Sequence, residues 1–288
     1  MLIRCLFITC LLLLSTLLKA APQRIVSLNL CTDQYLLLLA DPQQIASISY
    51  LSKDPEYSYY ADRAAQFPVN YARPEQVIAR QPDLILSGRF NNWTTSQMLT
   101  RAGFTVELID HPQTLTAVFQ QLRQVGTLIG QSERAEQVVS QMQQRLAALA
   151  KQVPEPNVNT PSLMQYSAGG FTVGPETLTG ELIRLSGWRN SAEQAGIRRF
   201  GRLDLESLLR LKPDRLIDVP DTASDYSAAE QLLRHPVLKK AKQPGGWIWL
   251  DQKLWSCGGP MLIDAIEQLK QAREQVEQSA DHPQDRRS

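Results

Sequence analysis

Histidine and cysteine are scarce in this 288-residue chain, and neither sign of charge predominates. Of the three histidines, His111 and His235 precede prolines and His282 lies near the C-terminal end. The sequence holds no H-E-x-x-H, no G-x-S-x-G and no G-x-G-x-x-G following a strand. The common signatures of zinc hydrolases, serine hydrolases and dinucleotide enzymes are therefore missing. The carboxylates are plentiful but show no catalytic spacing. A secreted hydrolase, the reading from a different class, would need a nucleophile and base that no motif supplies, so no catalytic residue is assigned. Thirty basic side chains against 29 acidic ones leave no clustered basic excess, and nucleic acid is not expected as a partner.

What is present begins with a leader. Arg4 precedes an almost wholly apolar run from Cys5 to Leu18, which ends at Lys19, Ala20, Ala21 and Pro22. A charged start, a short apolar run and small residues behind it read as a signal peptide over residues 1–20, cleaved near Ala20. The alternative, a membrane anchor, needs about 20 apolar residues. A lipoprotein needs cysteine directly after the run, but Cys5 and Cys10 come too early and Cys31 too late, so a soluble secreted product is expected. With Arg4 and Lys19 removed, acidic side chains outnumber basic ones by one. Two of the four cysteines remain, Cys31 and Cys257. The mature length, roughly 265 residues, exceeds the usual single-core size, and two lobes are the default.

Apolar runs and turn residues alternate along the mature chain. Strands are expected at Arg24–Leu28, Ile45–Ser49, Asp83–Ser87 and Phe104–Ile109, with helices near Gln34–Ala40, Pro74–Arg80 and Thr95–Ala102 between them. Thr32 or Asp33 is placed to cap the first helix. From Ser132 to Val153 there is neither glycine nor proline, and Ala135, Val138, Val139, Met142, Leu146 and Leu149 recur at helical steps. One long amphipathic helix follows, either a surface helix of one lobe or, from its length and mid-chain position, a strut between two. Pro154 to Pro161 reads as a boundary loop. The alternation then resumes: a strand at Ser162–Tyr166, helices near Glu176–Ser186 and Asp204–Leu211, a strand at Asp214–Val219, a helix near Ser227–Arg234, a strand at Trp247–Leu250 and a helix from Pro260. Strands alternating with short helices imply parallel α/β sheets covered on both faces.

One internal match organises the whole. Glu75 to Ile85 and Glu206 to Leu216 carry glutamate, an apolar pair and Pro-Asp at the same offsets, 131 positions apart. Each copy reads as a helix opening with glutamate and a Pro-Asp that ends the helix and begins a strand. The helix dipole favours a first-turn glutamate on its own. Equivalent exposed carboxylates on two lobes also suit docking on a two-fold partner.

These paired segments, with the leader, the Arg24–Leu28 opening and the long central helix, resemble the helical-backbone class of periplasmic binding proteins, over nearly the whole mature chain. The resemblance implies two Rossmann-like lobes (21–130 and 154–280) joined by a backbone helix over 131–153, with a ligand cleft between them; the polar residues at 281–288 read as a disordered tail. It further implies a periplasmic monomer that hands a bulky metal complex, a ferric siderophore or a cobalamin, to an ABC permease dimer and its ATPase. Glu75 and Glu206 would contact arginines on the two permease subunits. No cofactor and no protein-bound metal are expected; the ligand would be an iron chelate or corrinoid.

Ligands of open α/β sheets sit beyond the carboxyl ends of the strands. The loops there hold Asn29, Cys31 and Thr32 after the first strand, Tyr50 after the second, and Phe90, Asn91 and Trp93 after the third. In the second lobe they hold Phe171 and Trp255, with Arg199 and Phe200 before the second repeat helix. Core burial is the usual fate of an aromatic, but aromatics on glycine-rich loops suit an apolar cleft for a large flat ligand. Arg89 and the Arg198–Arg199 pair suit an anionic complex. Haem is the alternative ligand, since tyrosine can ligate its iron; Tyr50, Tyr71 and Tyr166 are the tyrosines in place. Cys31 and Cys257 lie on facing loops, one per lobe. They either pair, provided their Cα atoms come within about 7 Å, or face the ligand as thiols.

Overall fold

The computed structural model describes residues 21–218, 238 and 246–281. The expected leader, Val219, the helix near Ser227–Arg234 and residues 282–288 lie outside the described residues.

The first lobe is built on five parallel strands in the order β3-β2-β1-β4-β5. They are β1 (Ile25–Ser27), β2 (Ile45–Ser49), β3 (Val69–Asn70), β4 (Leu84–Gly88) and β5 (Val106–Ile109). Helices α1 (Leu30–Leu39), α2 (Ala61–Ala64), α3 (Pro74–Ile78), α4 (Trp93–Arg101) and α5 (Leu115–Leu128) accompany them. Period-two alternation explains the layering. Ile25, Leu84 and Leu86 point into a core shared with Leu36, Leu39, Leu122 and Val125 of α1 and α5. Val26 and Ile85 point to the other face, against Val77 of α3 and Leu99 of α4.

Helix α6 (Ser132–Ala150) follows, 19 residues or about 28 Å long. Its apolar stripe, Ala135, Val139, Met142 and Leu149, is buried. Near its start, Arg134 pairs with Asp41 at 2.8 Å. Near its end, Arg145 pairs with Asp264 at 2.8 Å and Glu267 at 2.9 Å. One end of the helix is thus tied to the first lobe and the other to the C-terminal helix, as a strut requires.

The second lobe repeats the plan. Strands β6 (Ser162–Gln165), β8 (Arg189–Asn190), β10 (Arg215–Asp218) and β11 (Trp247–Trp249) form a parallel sheet in the order β11-β10-β6-β8. Strands β7 (Phe171–Val173) and β9 (Phe200–Arg202) pair antiparallel beside it. Helices α7 (Leu178–Leu185), α8 (Leu205–Leu211) and α9 (Met261–Asp281) complete it. Leu163 and Ile217 join the large core. Met164 and Leu216 face Leu203 and Leu208 on the other side.

Two differences from expectation have local causes. Helix α1 starts at Leu30, four residues before the expected Gln34, because the Asn29 carbonyl oxygen Oδ1 accepts from the Thr32 N–H at 2.9 Å and caps it there. Helix α5 was not among the expected elements; Thr114 caps it by accepting from the Ala117 N–H.

Candidate functional site

The carboxyl ends of β1, β2 and β4 open on one side of the first lobe, where α1 begins. Gly88, the last residue of β4, approaches Asn29 so closely that a Cβ would lie 2.4 Å from the Asn29 amide nitrogen. A side chain there would displace the Asn29 and Asn91 amides. Asn92, in left-handed backbone, donates to the Leu28 carbonyl at 2.7 Å. Buried Asn70 donates to the carbonyls of Ser27 and Ile48 at 2.9 and 3.1 Å. Asparagine amides therefore fix the strand ends in place of backbone pairing.

Two hollows open over this floor. One, of about 260 Å³, is lined by Asn29, Cys31, Thr32, Phe90, Asn91 and His111 among others. The other, of about 290 Å³, shares Asn29, Cys31 and Asn91 and adds Tyr50, Asn70 and Tyr71. Tyr50 and Tyr71 stack with ring centroids 4.9 Å apart and stay half-exposed. Phe90 is 83% exposed at the rim. Burial lowers the His111 pKa and so favours the neutral imidazole. An aromatic wall facing asparagine amides suits a large, mostly apolar molecule with polar edges.

The expected site residues divide accordingly. Asn29, Cys31, Thr32, Tyr50, Phe90 and Asn91 line the hollows. Asn29 and Thr32 are also helix-start residues, and Thr32 is buried, bonded to Ser27 and Asn29. Trp93 is the first residue of α4 rather than a loop residue, half-exposed and outside both hollows. In the second lobe Phe171 and Phe200 stack at 6.2 Å, joined by β7–β9 pairing, but neither lines either of these two hollows. Arg199 beside them is exposed and has no ion pair among the described residues, whereas Arg198 pairs with Glu176 and Arg89 with Asp110. Trp255 departs from its expected place on the cleft. It is 8% exposed and packed in the large core with Leu250 and Leu254, because the chain after β11 coils into a short helical turn that carries the indole inward. Tyr166 is likewise buried, its hydroxyl donating to the Leu203 carbonyl. Tyr71, Asn70 and His111 line the hollows without having been picked out as principal site residues. Strand β3, which delivers Asn70, is two residues long and gives no periodic signal.

Cys31 and Cys257 form a disulfide with Cα atoms 5.1 Å apart. Cys31 lies in the first turn of α1, just past β1, and Cys257 lies past β11, so the carboxyl edges of the two sheets confront each other. Two further ties cross the lobes on this side. The Tyr59 hydroxyl donates to Asp264 at 2.6 Å, and the Leu115 N–H to Glu181 at 2.7 Å. Among the described residues no group of three or more His, Cys, Asp or Glu is placed to hold a metal.

Beneath the hollows, Asp33 is fully buried, accepting from the Ser49 N–H and from the hydroxyls of Ser49 and Ser52. Burial raises its pKa to about 6 against the opposing effect of those bonds. Away from the hollows, Glu75 and Glu206 stand exposed in the first turns of α3 and α8.

The family model described as periplasmic binding protein matches residues 25–242. A cobalamin-binding protein of Halobacterium salinarum is 26% identical over 69% of this chain, and the match covers 54% of that protein, so the chain spans about half the length of this relative. A vitamin B12-binding protein of Pectobacterium atrosepticum is 26% identical, with 90% of this chain and 91% of the relative covered. A solved periplasmic heme-binding protein from Roseiflexus sp. RS-1 shares the fold, with a TM-score of 0.68 at 24% identity over 87% of this chain and 99% of that one.

Proposed function

The chain belongs to the periplasmic binding protein family, and from that membership we propose that it is the periplasmic component of an ABC importer, carrying a bulky metal complex to the permease. The observation that carries this reading is the half-exposed Tyr50–Tyr71 stack over the asparagine-lined hollow beside the inter-lobe disulfide. A corrinoid or an iron chelate offers broad apolar faces with polar edges. The aromatic pair takes the face, and the amides of Asn29 and Asn91 take the edge. The metal arrives within its own chelator, so the protein contributes shape and hydrogen bonds and no catalysis. Arg199, which has no ion pair among the described residues, meets the ligand from the second lobe with Phe171 and Phe200, adding a preference for anionic edges.

The names of the relatives that match speak for the corrinoid. Haem is the second reading, favoured by two solvent-reaching phenols at the hollow, since tyrosine can ligate iron. The working compartment is the periplasm, reached by cleavage near Ala20. Delivery uses Glu75 and Glu206 against arginines on the two permease subunits, charge-assisted contacts that set register and encounter rate.

Fluorescence titration of the mature protein against cobalamin, ferric hydroxamates, ferric catecholates, ferric carboxylates and haem tests the ligand class, with half-exposed Trp93 as reporter. Saturable quenching by one member is expected. Binding of small sugars or amino acids instead overturns the reading.

A further inference from the structure

We infer that each lobe docks on the permease through an apolar anchor beside its carboxylate, Ile78 on the first lobe and Leu209 on the second, so that the partner presents two equivalent apolar sockets, each next to a cation. The inference rests on the docking reading above and adds the part of the surface that charge does not supply.

Its basis is a coincidence of exposure with the internal repeat. Val77 and Leu208 occupy the same repeat position, 131 residues apart, and both are buried against their own lobe. The next residue in each copy, Ile78 or Leu209, is turned outward, 43% and 41% exposed. Each stands three positions after the repeat glutamate, the spacing at which two side chains share one face of a helix. Isolated exposed aliphatics are ordinary on protein surfaces, and either residue alone would carry nothing. Neither side chain belongs to the core of its own lobe. The same carboxylate–aliphatic pair nevertheless stands on both lobes.

The charges beside these anchors are available. Glu75 has no ion pair among the described residues. Among the described residues Glu206 pairs with Arg210 alone, at 3.2 Å one turn on, with both side chains mostly exposed. Such a solvated pair contributes little and gives way readily to a better-desolvated cation. An aliphatic group covered on docking excludes water from the adjoining ion pair and strengthens it, as rim contacts do around a buried anchor. The occupant is therefore a two-fold or pseudo-two-fold surface with a guanidinium and an apolar pit repeated on each half, which suits the permease dimer.

The test measures binding of fluorescently labelled mature protein to right-side-out inner-membrane vesicles from the source cells, at low and at high salt. Four proteins are compared: wild type, Ile78→Ser with Leu209→Ser, Glu75→Gln with Glu206→Gln, and the fourfold variant. Thermal melting checks that the exposed substitutions leave the fold intact. Burial of an aliphatic side chain predicts a loss on the order of tenfold in affinity per anchor. The apolar double variant should keep its deficit at high salt, whereas the deficit of the glutamine variant should shrink as salt screens the wild-type ion pairs. Wild-type binding by the apolar variant, with the glutamine variant impaired, overturns the anchors and leaves carboxylate docking standing. Undiminished binding by both double variants, or no saturable binding of wild type, overturns the docking reading and the anchors with it.

Discussion

Asp83 and Asp214, 131 positions apart, perform the same task in the two lobes. Asp83 accepts from the backbone N–H groups of Gln23 and Arg24 at 2.6 and 2.9 Å, holding the start of β1. Asp214 accepts from the N–H and hydroxyl of Ser162 at 2.8 and 2.7 Å, holding the start of β6. Each follows a proline and a left-handed residue, Gln81 at φ 48° and Lys212 at φ 46°. The Pro-Asp half of the repeat is thus explained by folding. The glutamate half has only the helix dipole to explain it, since among the described residues no comparable side-chain contact holds Glu75.

That division predicts which substitutions disturb stability. Asp83→Ala and Asp214→Ala should each lower unfolding free energy by about 1 kcal/mol, below the range of about 1.5–3 kcal/mol for bonds to charged groups because both carboxylates are exposed. Urea denaturation of the mature variants measures this. Unchanged midpoints for both would show the two carboxylates to be incidental.

The glutamates proposed to dock should behave oppositely. Glu75→Arg with Glu206→Arg should abolish uptake while leaving ligand affinity of the isolated protein within about twofold, since neither residue lines the hollows. A helix-dipole role alone predicts a stability loss of about 0.3–1 kcal/mol with transport intact. Radiolabelled ligand uptake by cells carrying the double variant separates the two.

The disulfide closes a stretch of 226 positions between the lobes. Cys31→Ser with Cys257→Ser should lower stability by about 3–5 kcal/mol, chiefly by freeing the unfolded chain. Non-reducing peptide mapping of periplasmic protein should recover one Cys31–Cys257 peptide pair. Two alkylated thiols in native protein would instead support thiols facing the ligand.

Buried Asp33 sets a pH dependence. Its pKa is raised by burial from 3.8 to about 6, so the folded state holds that proton more tightly than the unfolded state does. The resulting stabilisation is full below about pH 4 and is lost as pH rises through about 6, a change of about 3 kcal/mol. Asp33→Asn should flatten the stability profile between pH 4 and 6 in urea titrations. An identical slope in wild type and variant would assign the dependence to other groups.

Much of this was legible in the sequence because it is periodic or repeated. The long helix, most sheet strands and the paired helices follow from apolar spacing that local structure cannot disguise. The site was legible only in part. Tyr50, Phe90 and Asn91 sit directly past strands, where topology alone puts them at the cleft. Trp255 looked equivalent, but a helical turn too short for any periodic signal carries it into the core. Asn70 reaches the hollow from a two-residue strand that no pattern marks. Whether Cys31 and Cys257 meet depends on how the lobes are set against each other, a tertiary quantity that spacing does not encode.

Equilibrium dialysis with absorbance detection most directly tests whether a metal complex rests on the Tyr50–Tyr71 stack. Wild-type mature protein and the Tyr50→Ala, Tyr71→Ala variant are dialysed against cobalamin, ferric siderophores of the three chemical types and haem. One complex should bind wild type saturably at one site per chain, and about a hundredfold more weakly to the variant, the loss expected from two stacking rings. Equal binding by the two proteins, or binding of none of these complexes by wild type, would contradict the account.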